Sequence, residues 1–329
     1  MTRYITRRFV YAVLTVFGIS IVSFFIIELP PGDFLTTSID RLGDEGATGA
    51  AQIAALRERY GLDQPFYVRY FKWISGIVLH GDFGQSFIYD RPVSELIAER
   101  LPLTIAVSLA TIVFTWILAV PIGIYSAVRQ YSLGDYIATI IGFLGLAIPS
   151  FLIALVLLYV SFRYFGQDVG GLFSPEYVDA DWSFGRVIDL LKHMWIPVAI
   201  TGFAGTASLI RVMRANLLDE LRKPYVTAAR ARGNSEGRLI VKYPVRVAIA
   251  PLLSTVGWVL PAVISSGEVV AIVLSLQTTG PMLLSSLQTQ DMYLAGSFIF
   301  VVSVLTVVGT LISDLLLAWA DPRIRHEYK

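Results

Sequence analysis

Cysteine is absent from this chain of 329 residues, and histidine occurs only three times. The first absence excludes disulfides, thiolate metal ligands and a cysteine nucleophile. The sequence also has no Gly-x-x-x-x-Gly-Lys-Ser/Thr loop for nucleotide phosphates and no His-Glu-x-x-His pair for zinc. His80 and His326 fall outside the apolar stretches and His193 lies at the edge of one, so an intramembrane hydrolase is disfavoured. We expect no ATPase site, no metal site and no enzymatic activity in this chain.

Charge is also scarce. Only 16% of the residues are charged, whereas soluble domains carry about 25%. Hydrophobic residues make up 55% of the chain and the mean hydropathy is +0.65, which predicts an integral membrane protein. The net charge is +1, so the basic residues are segregated rather than in excess. This balance indicates membrane lipid and protein partners, and it argues against nucleic acid.

Six apolar stretches meet or approach the roughly 20 residues that a helix needs to cross the hydrocarbon core. They are Phe9–Leu29, Leu103–Val128, Tyr136–Phe162, Met194–Ile210 with an extension toward Leu190, Val247–Leu276 and Met292–Ala318. The first stretch resembles a signal peptide, but no small-residue cleavage site follows it, so we predict a retained span. Unpaired backbone groups are too costly in lipid for other structures, so the fold class is predicted to be an all-α membrane protein with six transmembrane helices.

The loops between these stretches differ in charge. Residues 30–100 hold ten acidic and seven basic residues, whereas residues 211–246 hold nine basic and three acidic ones. Because basic loops stay in the cytoplasm, both termini and the 211–246 loop are predicted to be cytoplasmic in a multi-pass inner-membrane protein. We expect three regions: residues 1–29 as arm and first span, 30–100 as an extracytoplasmic insertion, and 101–329 as a five-span core.

Helix-stop signals within the insertion predict an ordered helical domain rather than a linker. Ala50–Tyr60 is predicted to be a helix that ends at Gly61, and Phe66–Leu79 is predicted to be a second helix. Pro92 suits the first position of a short third helix that leads to Arg100. An ordered domain outside the membrane suggests that a partner is received there.

The basic loop contains a compact helix motif, Pro224-Tyr-Val-Thr-Ala-Ala-Arg-Ala-Arg232, followed by Gly233. The proline pre-sets the first helical turn and the glycine provides a left-handed cap. Its three alanines keep the helix thin, while two arginines offer charge to a partner. Such a helix can enter a cleft of a cytoplasmic protein, or it can lie on anionic lipid headgroups.

The same segment resembles the EAA loop of ABC importer permeases, although Thr227 replaces the glutamate of that loop. Nearly end to end, the chain resembles the dipeptide/oligopeptide permeases, a family of binding-protein-dependent transport system inner membrane components. Further matching motifs are Pro31-Gly-Asp33, Tyr60-Gly-Leu-Asp-Gln-Pro65, Tyr70, Gly81-Asp-Phe-Gly-Gln-Ser86, Leu101-Pro-Leu-Thr104, Ala147-Ile-Pro-Ser-Phe151, Tyr243-Pro-Val-Arg246, Pro251 and Asp321-Pro-Arg-Ile-Arg325.

The resemblance implies a type I ABC importer permease fold and a set of partners. These are a second homologous permease, two cytoplasmic ATPase subunits that bind ATP and Mg, and an extracytoplasmic solute-binding protein. It also implies that the loop helix couples to an ATPase through Pro224, Tyr225, Ala228, Ala229, Arg230, Arg232 and Gly233. The solute implied first is a peptide, with oligosaccharides as the alternative and metal chelates third.

One segment departs from that family. Gln277-Thr-Thr-Gly280 stands where relatives carry Pro-Gly-Leu-Gly, and Ala271 stands where they carry an acidic residue. Gln277, Gly280 and Asp291 are therefore expected to form an outer gate or binding-protein contact with altered properties. The polar stretch 277–290 is predicted to lie at the membrane interface or to dip into it.

Prolines, glycines and polar residues within the spans suggest a solute pathway. The candidates are Pro149, Ser150, Gly205, Ser208, Trp258, Ser265, Ser266 and Glu268. Glu268 is also the one deep ionisable residue, and such residues serve proton-coupled carriers. A secondary carrier that uses Glu268 is therefore the competing hypothesis, since no ring of charges or carbonyls indicates a channel.

Overall fold

The computed structural model describes residues 2–28, 64–86, 88–166, 169–252, 263 and 267–320. Its α-helices with assigned bounds are α1 (Thr2–Glu28), α2 (Phe66–His80), α3 (Val93–Val128), α4 (Leu133–Ala147), α5 (Ser150–Val160), α6 (Phe184–Leu221), α7 (Pro224–Ala231), α8 (Glu236–Lys242), α9 (Pro244–Ala248), α10 (Thr279–Gln288) and α11 (Met292–Ala320). Residues 250–252 and 267–273 are also helical. A short hairpin pairs β1 (Gln85–Ser86) antiparallel with β2 (Arg91–Pro92).

Four helices of the described ranges, α1, α3, α6 and α11, are long and apolar enough to cross a membrane. The pair α4 and α5 makes a fifth if it is counted as one bent span. The prediction of a helical multi-pass membrane protein is therefore confirmed. The count of six stays a prediction, because residues 253–262 and 264–266 of the stretch Val247–Leu276 lie outside the described residues.

The predicted third span, Tyr136–Phe162, is not one straight helix. The chain bends by 97° between α4 and α5. Ile148 is extended, with φ −95° and ψ 122°, and Pro149 precedes the first residue of α5. Proline lacks an amide donor and disfavours the helical conformation of the residue before it, so the helix stops here.

The second span was expected to begin at Leu103, after a separate short helix. The structure corrects this expectation, because α3 runs without a break for 36 residues from Val93. Pro102 removes one backbone donor, but the first turns of α3 are anchored by Val93 and Leu96, which are buried. The predicted helix Phe66–Leu79 is confirmed as α2, whereas the expected helix at residues 50–60 lies outside the described ranges.

The chain divides into two compact units. The large unit comprises residues 1–9, 104–277 and 308–329, and the small unit comprises residues 10–103 and 278–307. The small unit has an aromatic core in which Phe24 contacts Tyr70 and Trp73, with ring centroids 5.7 and 5.5 Å apart. Its other buried members are Ile27, Val93, Leu96, Ile97, Met282, Tyr293, Leu294, Phe298, Phe300 and Val301.

The large unit is organised around α6, whose 38 residues pack against α3 and α4 through glycines. A Cβ at Gly202 would lie 2.8 Å from the Phe114 ring, and one at Gly145 would lie 3.1 Å from the Phe203 ring. Helices in lipid associate where small residues let their backbones approach, and these glycines provide such positions.

Gly296, in the small unit, allows a direct test of close helix packing at a glycine. A Cβ at Gly296 would lie 2.1 Å from Ile27 Cγ1 and 3.3 Å from the Ser23 carbonyl oxygen. Gly296→Val should therefore overpack the α1–α11 contact, at a cost of about 1–3 kcal/mol. We expect the temperature at which half of the detergent-solubilised protein stays monodisperse to fall by about 5 °C.

Gly18→Val is the matched control, because a Cβ at Gly18 meets nothing within 4 Å. Equal melting temperatures for the two valine variants would contradict the close packing at Gly296.

Candidate functional site

The basic loop starts as the end of α6. A helix of 38 residues is about 57 Å long, whereas the hydrocarbon core is about 30 Å thick. Part of α6 therefore extends beyond the membrane, and its last residues belong to the loop at 211–246. Helices α7, α8 and α9 then follow in close succession. The loop is an ordered helical structure built on a spanning helix.

The predicted loop helix is confirmed as α7. Pro224 occupies its first turn, and Gly233 has the left-handed φ of +76° that the predicted cap requires. The side-chain amide of Asn234 donates to the Ala229 carbonyl oxygen at 2.8 Å, which satisfies one of the terminal carbonyls.

Helix α7 has a buried face and an exposed face. Val226 and Ala229 are buried against Leu239 of α8, with Ile240 and Tyr243 packed beside them. The opposite side is exposed and consists of small residues and a proline, namely Pro224, Thr227, Ala228 and Ala231. Among the predicted coupling residues, Ala229 thus supports the fold of the loop, while Ala228 lies on the free surface.

The polar side chains on the two flanks of α7, Arg230 and Tyr225, both contact other residues of the loop. The Arg230 guanidinium pairs with Glu236, with an Nη2–Oε2 distance of 3.1 Å, and this pairing lowers the pKa of the Glu236 carboxyl. Both side chains are exposed, so the pair adds little stability. Arg230 was expected to offer its charge to a partner; in the structure its guanidinium contacts Glu236 of α8, and the coupling role stays a prediction. Arg232 is exposed.

Tyr225 fixes the corner between α6 and α7. Its hydroxyl donates to Glu220 Oε2 at 2.5 Å. Burial, together with the Glu220 carboxylate, raises the pKa of Tyr225 to about 12. The neutral hydroxyl is therefore the stable form at physiological pH, and its contribution is lost only as the pH rises through that value.

An ion pair that the sequence analysis did not single out joins α4 to α6. Arg214 Nε lies 3.0 Å from Asp135 Oδ1, and Nη2 lies 2.9 Å from Oδ2, which is a bidentate arrangement. Asp135 is 2% exposed and also accepts the Tyr131 amide at 3.0 Å. The sequence signal for this pair is Asp135 itself, a single carboxylate at the start of an apolar stretch. Its partner Arg214 lies 79 residues further along the chain, so the signal does not reveal the pair.

The chain returns to α6 after the loop. Val245 and Ala248 of α9 and the following Leu252 are buried against Met213 and Leu217 of α6. Both ends of the loop are thus anchored on the same turns of α6, close in sequence to Arg214. This arrangement makes α7 a rigid projection of α6.

The predicted pathway residues are only partly described. Pro149 is exposed at the bend, Ser150, Ser208 and Glu268 are half-buried, and Gly205 packs against Thr115. Trp258, Ser265 and Ser266 lie outside the described residues. The pathway therefore stays a prediction.

The predicted outer-gate residues make specific contacts. In the large unit, Gln277 Oε1 accepts the Leu172 amide at 2.8 Å and so holds the loop at that position. In the small unit, Gly280 is buried in α10, and Asp291 is completely buried. Asp291 accepts from Ser86 Oγ at 2.6 Å and from the Leu294 amide at 3.3 Å, as a helix N-cap does. These contacts maintain the fold, and the gate stays a prediction.

Together, the spans and the loop define a class: a multi-pass helical membrane protein that presents a short rigid helix on a basic loop. Comparison with known proteins narrows this class. Residues 119–326 match the binding-protein-dependent transport system inner membrane component, and residues 1–110 match the N-terminal part of such membrane components. The chain belongs to the family of binding-protein-dependent transport system inner membrane components.

Curated relatives extend over the full length. The chain is 34% identical over 328 residues to the oligopeptide transport system permease protein AppB of Bacillus subtilis (strain 168), covering 99% of this chain and 100% of the relative. It is 30% identical to the oligopeptide permease OppB of Haemophilus influenzae, with 99% and 100% covered. It is 27% identical to the dipeptide permease DppB of Escherichia coli (strain K12), with the same coverage.

The Asp135–Arg214 pair can be tested directly. Asp135→Asn leaves the Arg214 charge without its counter-ion, and breaking a buried pair costs about 3–5 kcal/mol. Because the Arg214 side chain is 28% exposed, we expect a smaller loss of about 2 kcal/mol. The expected result is a lower melting temperature of the purified protein, with partial recovery in the double variant Asp135→Asn/Arg214→Met.

Asp219→Asn serves as the control, because Asp219 is an exposed carboxylate on the same helix as Arg214. A melting temperature for Asp135→Asn that equals that of Asp219→Asn would show that the pair does not hold α4 to α6.

Proposed function

We propose that this chain is one of two permease subunits of an ATP-driven importer that moves peptides across the inner membrane. The observation that carries the proposal is the exposed face of α7, made of small residues and held rigidly at the end of α6. The names of the full-length relatives, which are oligopeptide and dipeptide permeases, support a peptide as the solute. They do not favour an oligosaccharide.

The proposed mechanism is alternating access. Two cytoplasmic ATPase subunits bind ATP and Mg, and each receives a loop helix such as α7 in a cleft. Closure of the ATPase dimer moves α7, and the rigid α6 passes this motion to α4 through the bidentate contact of Arg214 with Asp135. The pathway then opens toward an extracytoplasmic protein that delivers the peptide. This chain needs no cofactor of its own for these steps.

The proposed orientation follows from charge. The basic loop and both termini are cytoplasmic, whereas the acidic insertion faces the solute-binding protein. Under this orientation, α7 lies on the side of the membrane where ATP is available.

A bulky side chain on the exposed face of α7 tests whether this helix couples to an ATPase subunit. Ala231→Phe should leave the fold intact, because Ala231 is exposed, but it should prevent α7 from entering a cleft. We expect solute-stimulated ATP hydrolysis by the reconstituted transporter to fall about tenfold or more. Ala231→Ser adds little volume and is the matched control. Undiminished stimulation in Ala231→Phe would contradict the coupling role of α7.

Uptake into proteoliposomes tests the energy source and the solute. With the second permease, the ATPases and the binding protein present, labelled peptides should accumulate only when ATP is supplied. Glu268→Gln should not change the dependence on ATP. Uptake that follows a proton gradient without ATP, and that Glu268→Gln abolishes, would instead establish the secondary carrier.

A further inference from the structure

An apolar groove of about 390 Å³ lies in the large unit between α3 and α4. Ile122 and Tyr125 line it from α3, Ile137 and Ile141 line it from α4, and the buried Ile210 lines it from α6. Helices α3 and α6 are long and apolar enough to cross a membrane, and α4 belongs to the bent pair. The groove therefore lies among membrane-spanning helices. None of the residues proposed for coupling or for the solute pathway lines it.

The groove follows one face of α4. A Cβ at Gly134 would lie 2.5 Å from the Tyr125 ring, so the glycine lets this ring lie directly against the first turn of α4. Further from the turn between α3 and α4, Ile137 and Ile141 are 48% and 46% exposed. They are four residues apart and so lie one above the other on the helix. The lining thus forms a narrow apolar channel that ends at the α3–α4 turn.

The end of the channel at this turn carries a cation. Arg129 directly follows α3 and is exposed, and its guanidinium carbon lies 5.7 Å from the centre of the Tyr125 ring. The cation therefore contacts a residue that lines the groove. The carboxylate in the first turn of α4, Asp135, does not neutralise Arg129, because Arg214 engages both of its oxygens.

Positive charge is in excess around the groove. Residues 101–147 contain one basic and one acidic residue, Arg129 and Asp135. Helix α6 adds Arg211 and Arg214. Arg211 directly follows the lining residue of α6, and its guanidinium carbon lies 5.3 Å from the centre of a phenylalanine ring of α4. Three cations against one carboxylate favour an anionic ligand, whereas the channel itself favours an apolar chain. An anionic phospholipid combines both properties.

We propose that this groove is a binding site for an anionic phospholipid. One acyl chain lies along α4 against Ile137 and Ile141, and the lipid phosphate accepts hydrogen bonds from the Arg129 guanidinium. A guanidinium can donate two parallel hydrogen bonds to a phosphate, and an arginine at the end of a span reaches the headgroups. Pockets for drug-sized ligands measure about 300–1,000 Å³, so a groove near the lower limit holds one chain rather than a whole lipid.

The headgroup determines which lipid is selected. An acyl chain that enters the groove leaves other acyl chains, so its transfer from the bilayer gains little free energy. The attraction between Arg129 and an anionic headgroup is then the selective contribution, and for one arginine near the membrane surface it corresponds to about fivefold in affinity. The site does not depend on transport, because it follows from the groove and the charges of the large unit.

The experiment locates where a photoreactive lipid labels the chain. The full chain is placed in phosphatidylcholine nanodiscs, alone and with its companion subunits. The nanodiscs contain a small fraction of phosphatidylglycerol with a diazirine in one acyl chain, or phosphatidylcholine with the same photoreactive chain as the zwitterionic match. Labelled residues are identified by mass spectrometry after illumination. We expect phosphatidylglycerol to label the segment 137–141 about fivefold more than phosphatidylcholine does.

Arg129→Gln tests the headgroup contact. It should lower the labelling by phosphatidylglycerol about fivefold, to the level that phosphatidylcholine gives, because the cation at the end of the groove is removed. Arg163→Gln is the matched control, since Arg163 is also an exposed arginine of the large unit at a helix end. Labelling of Arg129→Gln that equals that of Arg163→Gln would refute the site, and so would equal labelling by the two lipids.

A second pair of variants tests the position of the acyl chain. Ile141→Trp adds bulk to the groove, whereas Ile140→Trp adds the same bulk at an exposed position of α4 outside the lining. We expect labelling of Ile137 to be lost in Ile141→Trp and retained in Ile140→Trp. Equal labelling in these two variants contradicts the proposal.

The arm with companion subunits tests whether lipid or protein occupies the groove. Labelling that persists in the assembled transporter supports the lipid. Labelling that is present in the isolated chain but absent in the assembled transporter shows that another subunit covers the groove, and it refutes the lipid site. Neither result bears on the uptake and ATPase tests of the proposed function.

Discussion

The bidentate contact between Asp135 and Arg214 is the interaction on which the anchoring of the basic loop depends. A carboxylate that is 2% exposed at the start of α4 would be costly without a partner, and one guanidinium satisfies both of its oxygens. The pair fixes α6 against α4 within one turn of Met213 and Leu217, where the returning chain is also buried. The returning end of the loop is therefore packed on the same part of α6 that the pair joins to α4.

Rigidity explains how a short helix can be useful on a basic loop. Helix α7 has only eight residues, which is too short to be stable alone. It is held mainly by the burial of Val226 and Ala229, and the Tyr225 hydroxyl and Arg230 make further polar contacts on its flanks. These contacts use one face and both flanks, and they leave a narrow surface of small side chains. This surface is the one that we propose enters a cleft of an ATPase subunit.

The small unit combines its aromatic core with a buried polar group. Asp291 is fully buried, yet Ser86 and the first turn of α11 satisfy its oxygens, so it joins the β-hairpin to the helix.

Sequence alone determined the class of this protein, the position of most spans, the basic loop and its helix. Those features depend on composition, on runs of apolar residues and on local signals such as Pro224 and Gly233, which act over a few residues. Tertiary structure decided the continuity of α3 through Pro102 and the roles of Asp291 and Ala229. It alone paired Asp135 with Arg214, because a contact across 79 residues is set by how helices pack and leaves no trace in local sequence.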